Sequence, residues 1–141
     1  MYASVATMQQ RYGDDELVQV APDDQSPPAV DTARVESALT DARATIDSYL
    51  QARYSLPLAS TPDLLVRLNA EIARYLLHDD RASERIQQAY EAAIRLLRDI
   101  ARGNASLGLP DDEESSARPS GSAQIESAPR VWGRDKSQGY L

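Results

Sequence analysis

Few residues in this chain are suited to chemistry, and their spacing narrows the options further. Acids occur in consecutive runs, Asp14-Asp15-Glu16, Asp23-Asp24, Asp79-Asp80 and Asp111-Asp112-Glu113-Glu114. General acid–base work by a carboxylate pair needs two groups that converge on one reacting atom. Sequence neighbours splay apart on a helix or loop, so these runs read first as solvated surface. Asp23 and Asp24 sit where a loop could hold a cation. The following Gln25-Ser26-Pro27-Pro28 lacks the alternating oxygen ligands and the Gly of a calcium loop. The single His, His78, stands beside Asp79 near a helix end, where a His is more often a cap or surface residue than a base. With one His and no Cys, a disulfide framework, a thiolate or His-cluster metal site and a Cys nucleophile have no residues to build them. No Gly-x-Ser-x-Gly turn and no phosphate-cradling glycine loop occurs. No catalytic, metal or cofactor residue is assigned, and the chain reads as a non-enzyme.

Recognition chemistry is concentrated instead at the C-terminus. Residues 129–141 hold the only Trp and the only Lys of the protein. Val131, Trp132, Tyr140 and Leu141 are apolar or aromatic groups, interleaved with the cations Arg130, Arg134 and Lys136. Trp, Tyr and Arg are the residues that most often anchor protein interfaces. Before them, residues 104–128 are rich in Ser and acids and contain Gly108, Pro110, Pro119 and Gly121. That composition cannot bury a core of its own. The chain therefore divides into a folded body (1–103), a flexible acidic linker (104–128) and a docking peptide (129–141), a tether that ends in a hook for another chain.

Charge follows the same division. The chain carries −7 overall. Residues 1–30 carry −4, with five acids and one Arg, and residues 31–102 carry −1, with eleven acids and ten Arg. Residues 103–128 carry −4 and residues 129–141 carry +2. A nucleic-acid reader would need a basic face, and none is evident. Met1 to Thr7 lacks a basic region followed by an apolar run, so no secretory leader is expected. No window reaches about 18 apolar residues, so no membrane span is expected either.

The elements that must position these groups are helices. Val35, Ala38, Leu39, Ala42, Ile46, Tyr49 and Leu50 recur at spacings of three and four, which predicts a helix from an Asp31 N-cap to about Tyr54. Val30 and Val35 flank that cap as a hydrophobic staple. A second helix is expected over 62–78, with Thr61 as cap, Pro62 in the first turn and Leu65, Leu68, Ile72, Tyr75 and Leu76 inward. A third, over 83–102, has Ile86, Tyr90, Ala93, Ile94, Leu97 and Ile100 on its stripe and Gly103 as terminator. Asp63 to Arg67 and Glu91 to Arg95 have the favourable order for ion pairs along a helix. Shorter helices are expected over Ser4–Tyr12 and Asp14–Val20. Without a useful period-two run, the fold class is all-α, a small helical bundle with a long extended C-terminal arm. Tyr49, Tyr75 and Tyr90 read as core or subunit-interface residues.

Several separated motifs resemble those of the Mu-like phage Gp36 family. They are Met1-Tyr2-Ala3, Arg11-Tyr12-Gly13-Asp14-Asp15-Glu16-Leu17, the segment Ile46 to Leu58, Ile72 to Asp79, Tyr90 to Ile94, Ile100 to Gly103, and Pro129 to Asp135 with Gly139-Tyr140. In that family the 21–30 loop often carries alternating Asp and Gly; prolines stand there in this chain. The family is similar to the head-completion adaptors of long-tailed phages. The resemblance implies a virion structural protein, made in the host cytoplasm, that forms a ring of twelve copies beneath the portal protein. Such a ring extends the DNA channel, lets DNA pass without specific binding, and meets a neck, stopper or tail-terminator protein below. Residues Arg130, Val131, Trp132, Arg134, Lys136, Tyr140 and Leu141 would dock on the portal. The alternative is a soluble helical peptide-binding or regulatory protein. A ring oligomer separates the first reading from the second, which predicts a stable monomer with a ligand-sized groove.

Overall fold

The helices begin where a side chain or carbonyl can satisfy their free backbone N–H groups. In the computed structural model, which describes residues 1–109, α1 spans Val5–Tyr12, α2 Asp14–Val20, α3 Thr32–Leu50, α4 Asp63–His78 and α5 Glu84–Arg102, with a single 3-10 turn at Asp79–Arg81. The described residues form an all-α bundle without a strand; Pro22 and Val30 make one isolated bridge. The expected arm and its docking peptide lie outside the described residues.

Ser4 caps α1 by accepting from the Thr7 N–H at 3.2 Å, and Thr7 Oγ1 accepts in turn from the Ser4 N–H at 3.3 Å. Gly13, at φ 82, lets the chain turn directly from α1 into α2. Asp31 caps α3 through the Arg34 N–H at 3.1 Å, and Ser83 caps α5 through the Ile86 N–H at 3.4 Å. Gly103, in the left-handed region at φ 83, ends α5.

Two boundaries differ from expectation. Pro62, not Thr61, is the N-cap of α4: its ψ of 145° is extended, so the first helical position falls on Asp63. Its carbonyl accepts from the Leu65 N–H at 2.9 Å, and no side chain caps this end. Helix α3 stops at Leu50 rather than near Tyr54. The Arg53 and Tyr54 N–H groups both donate to the Leu50 carbonyl, at 2.9 and 2.8 Å, tightening the last residues into a turn. That turn buries Tyr54 and leads into Leu56-Pro57, whose peptide bond is cis.

The core lies along α3 and α4, where Leu39, Ile46, Leu50, Leu65, Leu68 and Ile72 are fully buried. Helix α5 closes one side with Ala93, Leu97 and Ile100, and the N-terminal pair adds Met8 and Leu17. Ile94, expected on the inner stripe, is only half-buried at the edge of α5. The packed body also runs past Gly103. Leu107 and Leu109 are buried in the same core, and Arg53 Nη1 donates to the Ala105 carbonyl at 3.2 Å. Burying each leucine contributes about 1.5–3 kcal/mol. No helix among the described residues is long and apolar enough to cross a membrane.

Candidate functional site

The polar groups of the bundle first serve to fix its geometry. Asn69 on α4 is fully buried. Its Nδ2 donates to the Leu39 carbonyl at 3.1 Å, and its Oδ1 accepts from the Ala3 N–H at 3.0 Å. One amide thus ties α4 to α3 and to the N-terminal segment. A buried amide is stable only when partnered in this way. Close by in sequence to Ala3, the Tyr2 hydroxyl donates to Asp47 Oδ1 on α3, and Arg43 Nε donates to Asp47 Oδ2 at 3.3 Å. Partial burial and the Asp47 carboxylate push the Tyr2 hydroxyl far above its ordinary value, so it stays protonated as a donor. These three side chains, with Met1, Leu56, Pro57, Leu58 and Thr61, line a pocket of about 470 Å³.

A second cluster joins α2 to α4. Glu16 turns inward, unlike its exposed neighbours Asp14 and Asp15. Arg74 grips it with both ends of its guanidinium, Nε to Oε1 at 2.6 Å and Nη2 to Oε2 at 2.9 Å. His78 Nε2 lies 3.0 Å from the same Oε1. The Arg74 guanidinium also rests over the Tyr12 ring, 4.4 Å from its centroid. Partial burial alone would raise the Glu16 carboxyl, but the hydrogen bonds from Arg74 and His78 outweigh it and hold the group below its ordinary value. His78 is therefore neither a cap nor a loose surface residue. The carboxylate it meets is Glu16, 62 residues away, not the adjacent Asp79. A carboxylate held on both oxygens by an Arg and on one by a His acts as a clamp between helices.

The outer face of α5 differs in kind. Tyr90 stacks on Tyr75 of α4, with ring centroids 4.0 Å apart and planes 11° apart. Tyr90, Glu91, Ile94, Arg95 and Arg98 line a shallow groove of about 240 Å³. Among the described residues Arg95 forms no ion pair, and Glu91 accepts from Gln87 Nε2 at 3.1 Å. Arg67 likewise pairs forward with Glu71, at 3.3 Å, rather than back to Asp63. Opposite chemistry occurs beside α2, where Gln9, Asp14, Val18, Ala29, Val30 and Thr32 line a concavity of about 310 Å³. The loop behind it is held by Asp23, whose Oδ1 accepts from the N–H groups of Gln25 and Ala29 at 3.2 and 2.7 Å. That carboxylate closes its own loop. Among the described residues, no group of three or more His, Cys, Asp or Glu converges to hold a metal.

The sequence-assigned docking residues Arg130, Val131, Trp132, Arg134, Lys136, Tyr140 and Leu141 all lie outside the described residues. Reading the sequence missed Asn69, the Glu16–Arg74–His78 cluster and the Tyr2–Asp47–Arg43 cluster. Each depends on residues 30 or more positions apart meeting in space. The one available signal was local: an Asn on an otherwise apolar stripe of α4.

Helices locked by saturated polar clusters, with shallow charged grooves outside, define a small helical bundle protein of phage type once its relatives are considered. The chain is 45% identical over 143 residues to the "Mu-like prophage FluMu protein gp36" of Haemophilus influenzae, covering 100% of this chain and 99% of that protein. It is 35% identical over 113 residues to "Gene product J" of Escherichia phage Mu, covering 79% and 78% of the two chains. Residues 2–126 match the family described as "Bacteriophage Mu, Gp36". The protein belongs to that family.

Proposed function

We propose that this protein is a virion structural component, a head–tail adaptor that assembles as a ring beneath the portal and joins the head to the neck or tail. One observation carries the reading: relatedness to a Mu-like prophage protein runs the full length of the chain. The resemblance of this family to head-completion adaptors then supplies the role. A ring of about twelve copies would use the bundle as its repeating wedge, with different faces meeting head to tail. Its lumen would carry DNA without gripping it, since acidic flanks repel phosphate. Residues 129–141 would reach the portal across the linker, with Trp132 and Tyr140 as anchors and Arg130, Arg134 and Lys136 meeting carboxylates or carbonyls. Structure rather than catalysis is the role proposed.

Complementation tests this directly. A lysate of phage lacking the protein is expected to contain DNA-filled heads and separate tails. Adding the purified chain should join them, and a chain ending at Ala128 should join far fewer. Heads and tails that join equally well without the protein would overturn the reading.

A further inference from the structure

The self-assembly proposed above leaves open which faces of the bundle meet, and the described residues carry two faces of opposite character. On α5, Arg95, Arg98 and Arg102 recur at spacings of three and four along the exposed side. None of the three forms an ion pair among the described residues. Beside them, Tyr90 and Ile94 give the groove a half-buried apolar wall. Glu91 and Asp99 interrupt the arginines, which makes this a poor track for a continuous polyanion. On the N-terminal side, Asp14 and Asp15 are exposed at the start of α2. Asp14 accepts one neutral hydrogen bond, from Gln9 Nε2 at 2.9 Å, and forms no ion pair among the described residues. The adjoining concavity has an apolar floor of Val18, Ala29 and Val30.

We infer that the α5 groove of one copy receives the α2 edge of a second copy, with Arg95 and Arg98 facing Asp14 and Asp15. This rests on the ring reading. Both faces pair a small apolar patch with a charged rim, and the rims have opposite signs. Different elements carry them, so one chain can present its acidic edge while its basic groove is occupied. An interface between two unlike faces repeats from copy to copy and closes into a ring when the rotation allows. Opposed charges set its register, and a reversed charge confronts a like one.

Charge reversal tests the pairing. The full chain, the variant Arg95→Glu/Arg98→Glu, the variant Asp14→Arg/Asp15→Arg, and the chain carrying all four changes would be compared by analytical ultracentrifugation and native mass spectrometry. All four side chains are exposed, so the helical circular dichroism of every variant should match the parent. Each double variant alone should associate roughly a hundredfold more weakly than the parent. Mixing the two double variants, or combining all four changes in one chain, should restore assembly. If the parent assembles and the double variants assemble equally well, or mixing fails to restore them, the inferred interface is wrong while the ring reading stands. A parent that stays monomeric at all concentrations overturns both. If reversing the arginines abolishes retention on duplex DNA and leaves assembly intact, the groove faces nucleic acid and the inference also fails.

Discussion

Asn69 shows how much of this bundle depends on single polar atoms. Its Oδ1 accepts from the Ala3 N–H and so ties that residue to α4, and Ala3 itself is buried. Replacing it with a residue of similar volume, Asn69→Leu, strands the buried Ala3 N–H. The expected loss is about 1–3 kcal/mol, read as a drop of several degrees in melting temperature. Amide exchange at Ala3 should quicken more than that of the α3 and α4 cores. Glu16 makes a different prediction, one that depends on pH. Its folded carboxyl is held below its ordinary value of 4.5, so its pairing with Arg74 and His78 stabilises the fold fully above that value and is lost as pH falls through the folded one. Tyr12, over Arg74, adds no charge in this range. The gap in melting temperature between the parent and Glu16→Gln should therefore be widest near about pH 6 and shrink toward about pH 3.5. A gap that is constant, or that widens in acid, would refute the assignment. Neither residue could be placed from sequence. Glu16 sits in an acid run whose other members are solvated, and only the fold brings Arg74 to it.

At the scale of elements, the sequence is far more legible. Ser4, Asp31 and Ser83 announce helix starts, and Gly13 and Gly103 announce ends, because capping is local chemistry. The α4 start is off by one because the extended ψ of Pro62 is not visible in the Thr61-Pro62-Asp63 pattern. Apolar periodicity finds the stripe of each helix but not its depth, since depth depends on which neighbour covers it. Leu68 and Ile94 illustrate the difference. Leu68 is 1% exposed in the core, whereas Ile94 edges the α5 groove. Leu68→Asp should abolish folding, because an unpaired buried charge costs several kcal/mol against a total stability of about 5–15 kcal/mol. Ile94→Asp should leave the helical circular dichroism intact and lower the melting temperature modestly. If both variants unfold alike, the groove is buried and the assignment of this face is wrong.

For the whole molecule, the folded unit reaches further than composition implies. Ser and Gly around Leu107 and Leu109 mask two residues that enter the core, and a compositional boundary cannot see a leucine folding back. A chain ending at Leu109 should melt like the full protein. One ending at Gly103 loses two buried leucines and the Arg53–Ala105 bond, and should be destabilised by roughly 3–6 kcal/mol. Equal melting of the two would contradict the packing described. Family membership, legible in scattered motifs from Tyr2 to Gly103, supplies the phage context that no single site does. In the proposed function, the bundle, the charge division and the two unlike faces would serve one role, a repeating unit at the junction of head and tail. Electron microscopy of virions labelled with gold-conjugated antibody against this chain tests that role most directly. The account predicts label confined to the junction between head and tail, with image averages of that region showing a closed ring. Label spread over the capsid or along the tail, or virions that carry none of the protein, would contradict it.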